Sequence, residues 1–499
     1  MTEILGPALL ARLPPGVDRP DYDRAALRPG MAHIGVGAFH RCHQAEFTDD
    51  MLAAAFGRWG VIGINVRPPR LADTLGAQGG LYTRLRRSGD TAEARVVGSI
   101  LRVVDGQDDP GPALAVLASP DIDVVTMTVT EKSYCHRPAD GALDRDRPEI
   151  AADIADPGRP TSLPGLLVRA LELRMQAGTG PVTLMSCDNV PANGVLLGDV
   201  VRALAERRGT ELVRWIEANA AFPSAMVDRI SPATTPADLA TVEATWGYCD
   251  AAVAVCEPFR QWVIEDRFAA RRPPWDLAGA SFVADVTPFE QLKMRVLNAA
   301  QSTLAHLGVL AGHEFTYDSV GDPLLEAFVR RMLVTESLPT LPPVPGIEPA
   351  AYVDGSLARL HNRAIRHRCQ QIATDGSQKI VQRLLNPARE RVSRGQPTPL
   401  LALATAGWMA YLVRTAPRFG SSWTADDPQA TTVAALAERI GNDPAALTAA
   451  ILALDDIFAP ELATAPAFRR DVTAALAGLL SDRPMQAVAR ALEPLGQVQ

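Results

Sequence analysis

The segment from Pro288 to Gln301 carries residue types that can move a proton and hold an oxygen atom. Its sequence, PFEQLKMRVLNAAQ, contains Lys293, Asn298 and Gln301. On a regular helix with ~100° per residue, these side chains point to about 0°, 140° and 80°, within one half of the surface and beside apolar residues. Burial against an apolar face lowers the pKa of a lysine, which lets its amine act as a base. The spacing predicts a lysine base beside two amides, and a solvated surface lysine is the alternative.

Such a group suits the interconversion of a secondary alcohol and a ketone. This oxidation removes a hydroxyl proton while a hydride leaves the carbon, so it requires a base, hydrogen-bond donors to the oxygen and a nicotinamide. Asn189 closes the segment SCDN at the predicted end of a strand, where its amide can donate to a developing alkoxide. An asparagine in an ordinary turn is the alternative.

A second group of residues, near the N-terminus, could bind a dinucleotide. The segment HIGVGAFH (33–40) lies between a predicted strand and a predicted helix, where glycines let the backbone approach a pyrophosphate at a helix N-terminus. His40 stands where the usual GxGxxG pattern has its third glycine, so a plain tight turn is the alternative. The candidate cofactor-binding residues of this turn are Gly35, Gly37, Ala38 and Phe39.

The residues after the next predicted strand bear on the choice between NAD and NADP. This stretch is NVRPPR (65–70), and no carboxylate occurs before Asp73. A carboxylate normally binds the ribose hydroxyl of NAD at this place, whereas Arg67 and Arg70 could accommodate a 2′-phosphate. We therefore expect NAD, with NADP possible, and Arg67 as a contact. Further candidates for the cofactor site follow a later strand: Thr130, Glu131 and Lys132.

Alternating strands and helices must position these residues in the first half of the chain. A predicted helix at 43–56 joins two predicted strands into a βαβ unit of a parallel sheet. The predicted strands are 31–37, 60–66, 124–130 and 182–185. Helices replace strands in the second half, and the proline-rich run 338–349 predicts a loop. The predicted helices are 289–310, 323–334, 357–374, 399–415 and 431–454.

The predicted fold class is α/β, with a Rossmann-type NAD(P)-binding domain over residues 1–286 and a mostly α-helical substrate and catalytic domain over residues 287–499. The length of 499 residues exceeds the ~250 to 300 that one core usually supports. A net charge of −8 leaves no basic footprint for nucleic acid, and no apolar run reaches the ~18 residues of a membrane helix. Six scattered cysteines favour a reducing, cytoplasmic location. His40 and His43 lack further ligands nearby, so no metal is predicted.

Nine collinear motifs resemble the polyol-specific long-chain dehydrogenase (mannitol dehydrogenase) family and cover most of the chain. They are HIGVGAFHRCHQ (33–44), GGLYT (79–83), TEKSYCH (130–136), SCDNVPANG (186–194), FPSAMVDRISPATT (222–235), EPFRQWVIED (257–266), FEQLKMRVLN (289–298), DGSQK (375–379) and LLALATAGWM (400–409). The resemblance implies metal-independent, NAD(P)-dependent oxidoreductase activity on a sugar acid or polyol. It also implies a Rossmann-type domain followed by a helical domain.

The resemblance also implies roles for individual residues. Lys293 matches the catalytic acid–base lysine, and Glu290 matches a glutamate associated with proton passage to it. Asn189 and Asn298 match the amides that hold the reacting oxygen. The implied substrate-binding candidates are Asp228, Arg229 and Lys379.

One position departs from the family pattern, because Gln301 stands where a histidine is usual. Glutamine can donate a hydrogen bond to a substrate hydroxyl but cannot carry charge near neutral pH. A catalytically weakened protein that binds a nucleotide or a sugar acid is therefore an alternative of a different class.

The motifs are most similar to those of the fructuronate reductases. This similarity implies reduction of D-fructuronate to D-mannonate, with Lys293 protonating the C5 alkoxide. A mannitol 2-dehydrogenase or another polyol dehydrogenase is the alternative. We expect a small-molecule substrate and a monomer or small homo-oligomer.

Overall fold

The structure, a computed structural model, describes residues 2–137, 140–415, 424–441 and 443–493. The chain divides into two compact units, Met1–Thr287 and Pro288–Gln499. We call them the N-terminal unit and the helical unit. No helix in the described ranges is both long enough and apolar enough to cross a bilayer.

The N-terminal unit combines strands and helices. Its strands are β1 (Glu3–Ile4), β2 (Val17–Asp18), β3 (Pro29–Ile34), β4 (Gly60–Asn65), β5 (Tyr82–Ser88), β6 (Thr91–Val97), β7 (Ile100–Asp105), β8 (Val124–Met127), β9 (Val182–Ser186), β10 (Ala220–Ala221), β11 (Ala225–Asp228), β12 (Tyr248–Cys249), β13 (Ala254–Cys256), β14 (Gln261–Glu265) and β15 (Ser281–Val283). Its helices are α1 (Pro7–Leu10), α2 (Ala38–Cys42), α3 (Gln44–Ala54), α4 (Leu71–Ala77), α5 (Gly111–Leu117), α6 (Pro148–Ala155), α7 (Leu163–Ala177), α8 (Asn193–Ala205), α9 (Thr210–Asn219) and α10 (Pro236–Trp246).

The main sheet of this unit is parallel, in the order β10-β9-β8-β3-β4-β7. Every residue of β4, β8 and β9 is buried, as expected for parallel strands that are covered on both faces. The chain runs from β3 to β4 on one side and later returns to β8 on the other side of β3. Ligands bind at such a switch point, outside the carboxyl ends of the strands. The predicted α/β fold with a βαβ unit is confirmed.

Smaller sheets complete the N-terminal unit. Strands β5 and β6 are antiparallel and extend to β13 and β2, and β14 lies between β11 and β15. One apolar cluster joins the inner residues of the main sheet to those of β11 and β14, and it includes the contact between Trp262 and Trp275. This packing fixes the position of β11, whose last residue is Asp228.

In the helical unit, helices follow one another along the chain. They are α11 (Thr287–Lys293), α12 (Ala299–Ala311), α13 (Thr316–Gly321), α14 (Pro323–Met332), α15 (Pro349–Leu360), α16 (Cys369–Ala373), α17 (Gly376–Ile380), α18 (Asn386–Ser393), α19 (Pro399–Arg414), α20 (Ala430–Ile440), α21 (Pro444–Leu452), α22 (Pro460–Ala463), α23 (Pro466–Leu479) and α24 (Met485–Leu492). Residues 400–413 of α19 are all buried, which marks it as the core helix of this unit.

Two of the predicted helices are wrong in their extent. The predicted helix 357–374 is interrupted, because α15 ends at Leu360 and α16 begins at Cys369. The predicted helix 431–454 is two helices, α20 and α21, and residue 442 lies outside the described residues. Asp443 caps α21 with its side chain and Pro444 occupies the first turn, a combination that starts a new helix.

Candidate active site

The glycine turn follows β3 at the carboxyl edge of the main sheet. Gly35 has φ +92°, and a Cβ atom added to it would lie 2.1 Å from the backbone oxygen of Thr128. Gly37 is the N-cap of α2, no side chain caps this helix end, and an added Cβ would meet nothing within 4 Å. Gly35 is therefore required by the backbone, whereas Gly37 leaves open space before N–H groups that can bind a phosphate.

Two neighbouring cavities lie at this edge of the sheet. The first, of about 250 Å³, is lined by residues that follow β3, β4 and β8, and these include Gly35, Gly37, Arg67 and Thr130. The second, of about 260 Å³, shares Arg67 with the first and extends to Lys132. Concave space at three adjoining strand ends fits a dinucleotide.

The other predicted cofactor residues lie next to these cavities but are not among the residues that line them. Ala38 and Phe39 form the start of α2, and the Phe39 ring stacks on His43 with centroids 5.1 Å apart. Glu131 begins a 3-10 turn, Glu131–Tyr134, that follows β8.

His40, the residue in place of the third glycine, packs against the strand. Its ring stacks on His33 of β3 with centroids 3.4 Å apart, and both side chains are buried. Burial lowers the pKa of His33 to about 3, so this ring is neutral at physiological pH. The third glycine of the usual pattern allows the helix to pack closely on the strand, and here the two stacked rings fill that contact instead. Within the described ranges, no three or more His, Cys, Asp or Glu side chains are grouped as a metal site.

The loop after β4 separates the two arginines considered for NADP. Arg70 forms ion pairs with Asp105, at 2.7 Å, and with Asp108. The Asn65 side chain shapes this loop, because its amide nitrogen donates to the backbone oxygen of Arg67 at 2.7 Å. Arg67 lines both cavities, while Arg70 is engaged by carboxylates.

Asn189 follows β9, in a loop that is bonded to the loop after β8. The neighbouring Asp188 carboxylate accepts hydrogen bonds from the backbone N–H of Val129, at 3.0 Å, and from the Tyr134 hydroxyl, at 2.6 Å. Burial raises the pKa of Asp188 to about 6. Asn193 donates to the backbone oxygen of Asp188 at 3.0 Å. The structure thus places the exposed Asn189 at the carboxyl edge of the sheet, on a loop that the hydrogen bonds of Asp188 hold in place.

The two candidates from the MVDR motif differ in their surroundings. Asp228 ends β11 and is 2% exposed. Arg229 forms an ion pair with Glu46, and its Nε and Nη2 donate to the backbone oxygen of Glu257 at 3.0 and 2.9 Å. These interior contacts already engage the Arg229 guanidinium, and its predicted role in substrate binding stays a prediction.

Lys293 and Asn298 frame an irregular turn of the helical unit. Lys293 is the last residue of α11, and the next five residues, Met294–Asn298, form a π-helical turn before α12. Both side chains are 4% exposed. A π turn bonds residue i to residue i+5, so residues five apart become neighbours along the helix. The predicted angle of 140° between them is therefore wrong, because it assumed a regular helix.

The Asn298 amide has a weak partner within its own turn. Its Nδ2 donates to the thioether sulfur of Met294 at 3.0 Å. Thioether sulfur is a poor acceptor, so a substrate oxygen would be a stronger one. Glu290 lies one helical turn before Lys293, and Gln301 lies one turn after Asn298; both are half-buried.

Lys379 and His306 belong to two helices that pack against each other, α17 and α12. Lys379 of α17 donates from Nζ to the backbone oxygens of Ile372, at 3.2 Å, and Thr374. Burial, with the nearby Arg383 charge, lowers the pKa of Lys379 to about 8. His306 is fully buried, and burial lowers its pKa to about 3, so it stays neutral. His306 therefore does not supply the charge that Gln301 lacks.

Arg383 lies beside Asn298 and was not among the predicted site residues. It belongs to a second π turn, Val381–Leu385, which packs against the turn Met294–Asn298. Its Nη1 donates to the backbone oxygen of Asn298 at 3.3 Å and to the Ser302 hydroxyl at 3.0 Å. The sequence did offer one signal for Arg383, because a residue four positions after Lys379 lies on the same side of a helix.

Models of one protein family match most of the chain. The mannitol dehydrogenase Rossmann domain matches residues 29–277, and the mannitol dehydrogenase C-terminal domain matches residues 285–480.

Individual relatives agree with this family match. The chain is 42% identical to the D-mannonate oxidoreductase of Escherichia coli over 79% of this chain and 82% of that protein. It is 37% identical to the mannitol 2-dehydrogenase of Cereibacter sphaeroides over 90% and 95%. The solved ternary complex of Pseudomonas fluorescens mannitol 2-dehydrogenase with NAD and D-mannitol superposes with a TM-score of 0.90 and 35% identity, over 98% and 100%. The chain belongs to the mannitol dehydrogenase family, which confirms the predicted NAD-dependent oxidoreductase acting on a secondary alcohol.

Proposed function

We propose that the chain reduces the ketone of D-fructuronate to the secondary alcohol of D-mannonate with NADH, and catalyses the reverse reaction with NAD. The full set of collinear motifs and the 42% identity to a D-mannonate oxidoreductase support this substrate. A polyol dehydrogenase is the alternative, supported by the similarity to mannitol 2-dehydrogenases.

The observation that carries the proposal is the placement of Lys293 directly before the π turn that ends at Asn298. When bound, the nicotinamide supplies the hydride that adds to the ketone carbon. The Lys293 ammonium group donates its proton to the oxygen as negative charge develops there. The Asn298 amide exchanges the Met294 sulfur for this oxygen and stabilises its charge, and Asn189 is proposed as a further donor to it. Glu290, one turn from Lys293, is proposed to pass a proton from solvent to the neutral lysine after each reduction.

The remaining candidates are proposed to hold the reactants. The cofactor is proposed to bind at the glycine turn, with its pyrophosphate before the N-terminus of α2 and Arg67 and Thr130 beside it. Asp228 and Lys379 are proposed to contact substrate hydroxyl groups. Because Arg70 is paired with two carboxylates, Arg67 is the residue proposed to decide how well NADP is accepted.

The test follows the nicotinamide absorbance of the full chain with D-fructuronate, D-tagaturonate and D-fructose. Lys293→Met keeps the apolar stem of the side chain and removes its proton, so turnover should fall by roughly 10²- to 10⁴-fold. NADH affinity should stay within a factor of three. Arg389→Met, at an exposed arginine, serves as the control and should leave turnover unchanged.

Each alternative predicts a different result. A Lys293→Met variant that keeps more than a tenth of the turnover would exclude Lys293 as the acid. A higher kcat/KM for D-fructose than for D-fructuronate would favour the polyol dehydrogenase. Stabilisation by NADH and D-mannonate without turnover of any substrate would favour the weakened binding protein.

A further inference from the structure

Two π turns of the helical unit pack against each other, and each follows a lysine of the candidate site. Met294–Asn298 follows Lys293, and Val381–Leu385 follows Lys379. Each turn contains the hydrogen bond between residues five apart that defines a π-helix: Ala299 N–H donates to Met294 O, and Asn386 N–H donates to Val381 O. Single π turns inside α-helices occur frequently at functional sites.

The second π turn places a guanidinium group beside Asn298. The Arg383 Nη1 donates to the Asn298 backbone oxygen at 3.3 Å and to the Ser302 hydroxyl at 3.0 Å. These bonds fix the charged group next to the residue whose amide is proposed to hold the reacting oxygen. The Arg383 side chain itself is half-buried.

Charged groups of both signs act on Lys379, which lies four residues before Arg383. Burial is the main cause of the lowered pKa of Lys379, and repulsion by the Arg383 charge is the second. The acidic groups that oppose this effect are Asp375, Asp427 and Asp426. Asp427 is itself bonded to the backbone N–H of Ser377 at 2.7 Å and to the Trp408 indole at 3.2 Å. An anion near Arg383 would relieve the repulsion between the two cations.

A hexuronate has the length to reach from Asn298 to Arg383. In D-fructuronate four carbon–carbon bonds of ~1.5 Å separate the ketone carbon from the carboxylate carbon, a span of about 5 Å when extended. A guanidinium held against the backbone of Asn298 is thus within reach of a carboxylate whose ketone oxygen lies at the Asn298 amide. A neutral ketose of the same length has a hydroxymethyl group at this place.

We propose that Arg383 binds the carboxylate of the substrate and thereby selects sugar acids over neutral ketoses and polyols. This inference rests on the proposed function, because it takes the reacting oxygen to lie at Asn298. Arginine is suited to the role, since its planar fork can pair with both carboxylate oxygens while a lysine offers only a point charge.

The test compares D-fructuronate with D-fructose in the wild type, Arg383→Met, Arg383→Lys and the control Arg389→Met. Arg383→Met should lower kcat/KM for D-fructuronate by roughly 10- to 100-fold, the effect expected for a lost charged hydrogen bond, mainly through KM. With D-fructose, kcat/KM should change by less than threefold. Arg383→Lys should recover part of the loss. Competition by D-mannonate should weaken in parallel, while competition by D-mannitol should not.

Two results would overturn the inference. An equal loss with both substrates would show that Arg383 only supports the turn that carries Asn298. No loss with D-fructuronate would show that another group binds the carboxylate. Melting temperature and NADH affinity, measured on each variant, detect misfolding, and Arg383→Lys then provides the comparison if Arg383→Met does not fold.

The inference and the proposed function can fail separately. If the wild type ignores D-fructuronate but reduces D-tagaturonate with an Arg383-dependent KM, the substrate assignment is wrong and the role of Arg383 stands. If the wild type reduces neutral ketoses and no ketose that bears a carboxylate, both are wrong.

Discussion

The two glycines of the cofactor turn should respond to alanine in opposite ways. Gly35→Ala adds a methyl group where φ is +92° and where the Thr128 oxygen would be 2.1 Å away. Gly37→Ala adds the same methyl group where φ is −64° and nothing lies within 4 Å. The pair therefore separates a requirement of the backbone from a requirement of the ligand.

The expected magnitudes follow from these contacts. An alanine in a left-handed conformation costs about 1 to 3 kcal/mol, and a clash that displaces packed atoms costs about 1 to 3 kcal/mol more. Gly35→Ala should thus destabilise the N-terminal unit by about 2 to 6 kcal/mol, which lowers its melting temperature by roughly 5 to 20 °C. Gly37→Ala should change stability by less than about 1 kcal/mol.

Cofactor affinity should show the reverse sensitivity. The methyl group of Gly37→Ala occupies the space where a phosphate oxygen would meet the N-terminus of α2. Loss of one charge-assisted hydrogen bond costs about 1.5 to 3 kcal/mol, so the Kd for NADH should rise by roughly 10- to 100-fold.

The assays are calorimetric unfolding and NADH titration by nicotinamide fluorescence. Gly178→Ala provides the matched control, because Gly178 has φ +64° but no atom within 4 Å of an added Cβ, so it isolates conformational strain from the clash. Unchanged NADH affinity in Gly37→Ala would refute the assignment of the pyrophosphate to this helix. A Gly35→Ala protein no less stable than Gly178→Ala would refute the argument from the Thr128 contact.

Further predictions concern buried charge and pH. Three arginines surround the Glu46 carboxylate, so Glu46→Gln should lower the free energy of unfolding, measured in urea, by about 3 to 5 kcal/mol. Glu93→Gln, at an exposed ion pair, should lower it by less than about 1 kcal/mol. The pKa of Asp188 is about 6 in the native state, above the ordinary 3.8, so between pH 3.8 and pH 6 the native state binds more protons than the unfolded state. The free energy of unfolding should therefore fall by about 2 to 3 kcal/mol as the pH rises through this range. Asp188→Asn should flatten that pH dependence. Gln301→His should add an ionisation near pH 6.5 to the profile of kcat/KM, and a profile identical to that of the wild type would place position 301 away from the reacting groups.

Four of the six strands of the main sheet, β3, β4, β8 and β9, could be predicted because their burial is visible in the sequence as runs of mostly apolar residues. The run Val124–Met127, for example, is buried throughout and apolar except for Thr126, since helices cover both faces of the sheet. The smaller sheets left no such record. Strand β5 contains Arg84, which is 4% exposed and pairs with the equally buried Glu46 at 3.3 Å. A buried ion pair between residues far apart in sequence reads as two surface charges until the fold is known.

In the candidate site, too, some features could be predicted from the sequence and others could not. Lys293 and Asn298 could be selected by residue type and spacing, because a helix is the natural interpretation of their segment. The π turn between them could not, since one extra residue in a helical turn leaves the apolar pattern almost unchanged. The surroundings of Arg229 could not be predicted either, because its motif gives no sign that the Glu46 carboxylate pairs with its guanidinium.

The π turn at Met294–Asn298 also has a genetic consequence. It corresponds to one extra residue within an otherwise regular helix from Thr287 to Ala311. An in-frame deletion of a single codon there would restore an ordinary helix, in which the asparagine would lie four residues after the lysine and still on the same side. The later residues of the helix would keep the face that they bury, so the fold should tolerate the deletion. Only the irregular backbone hydrogen bonds of the turn would be lost.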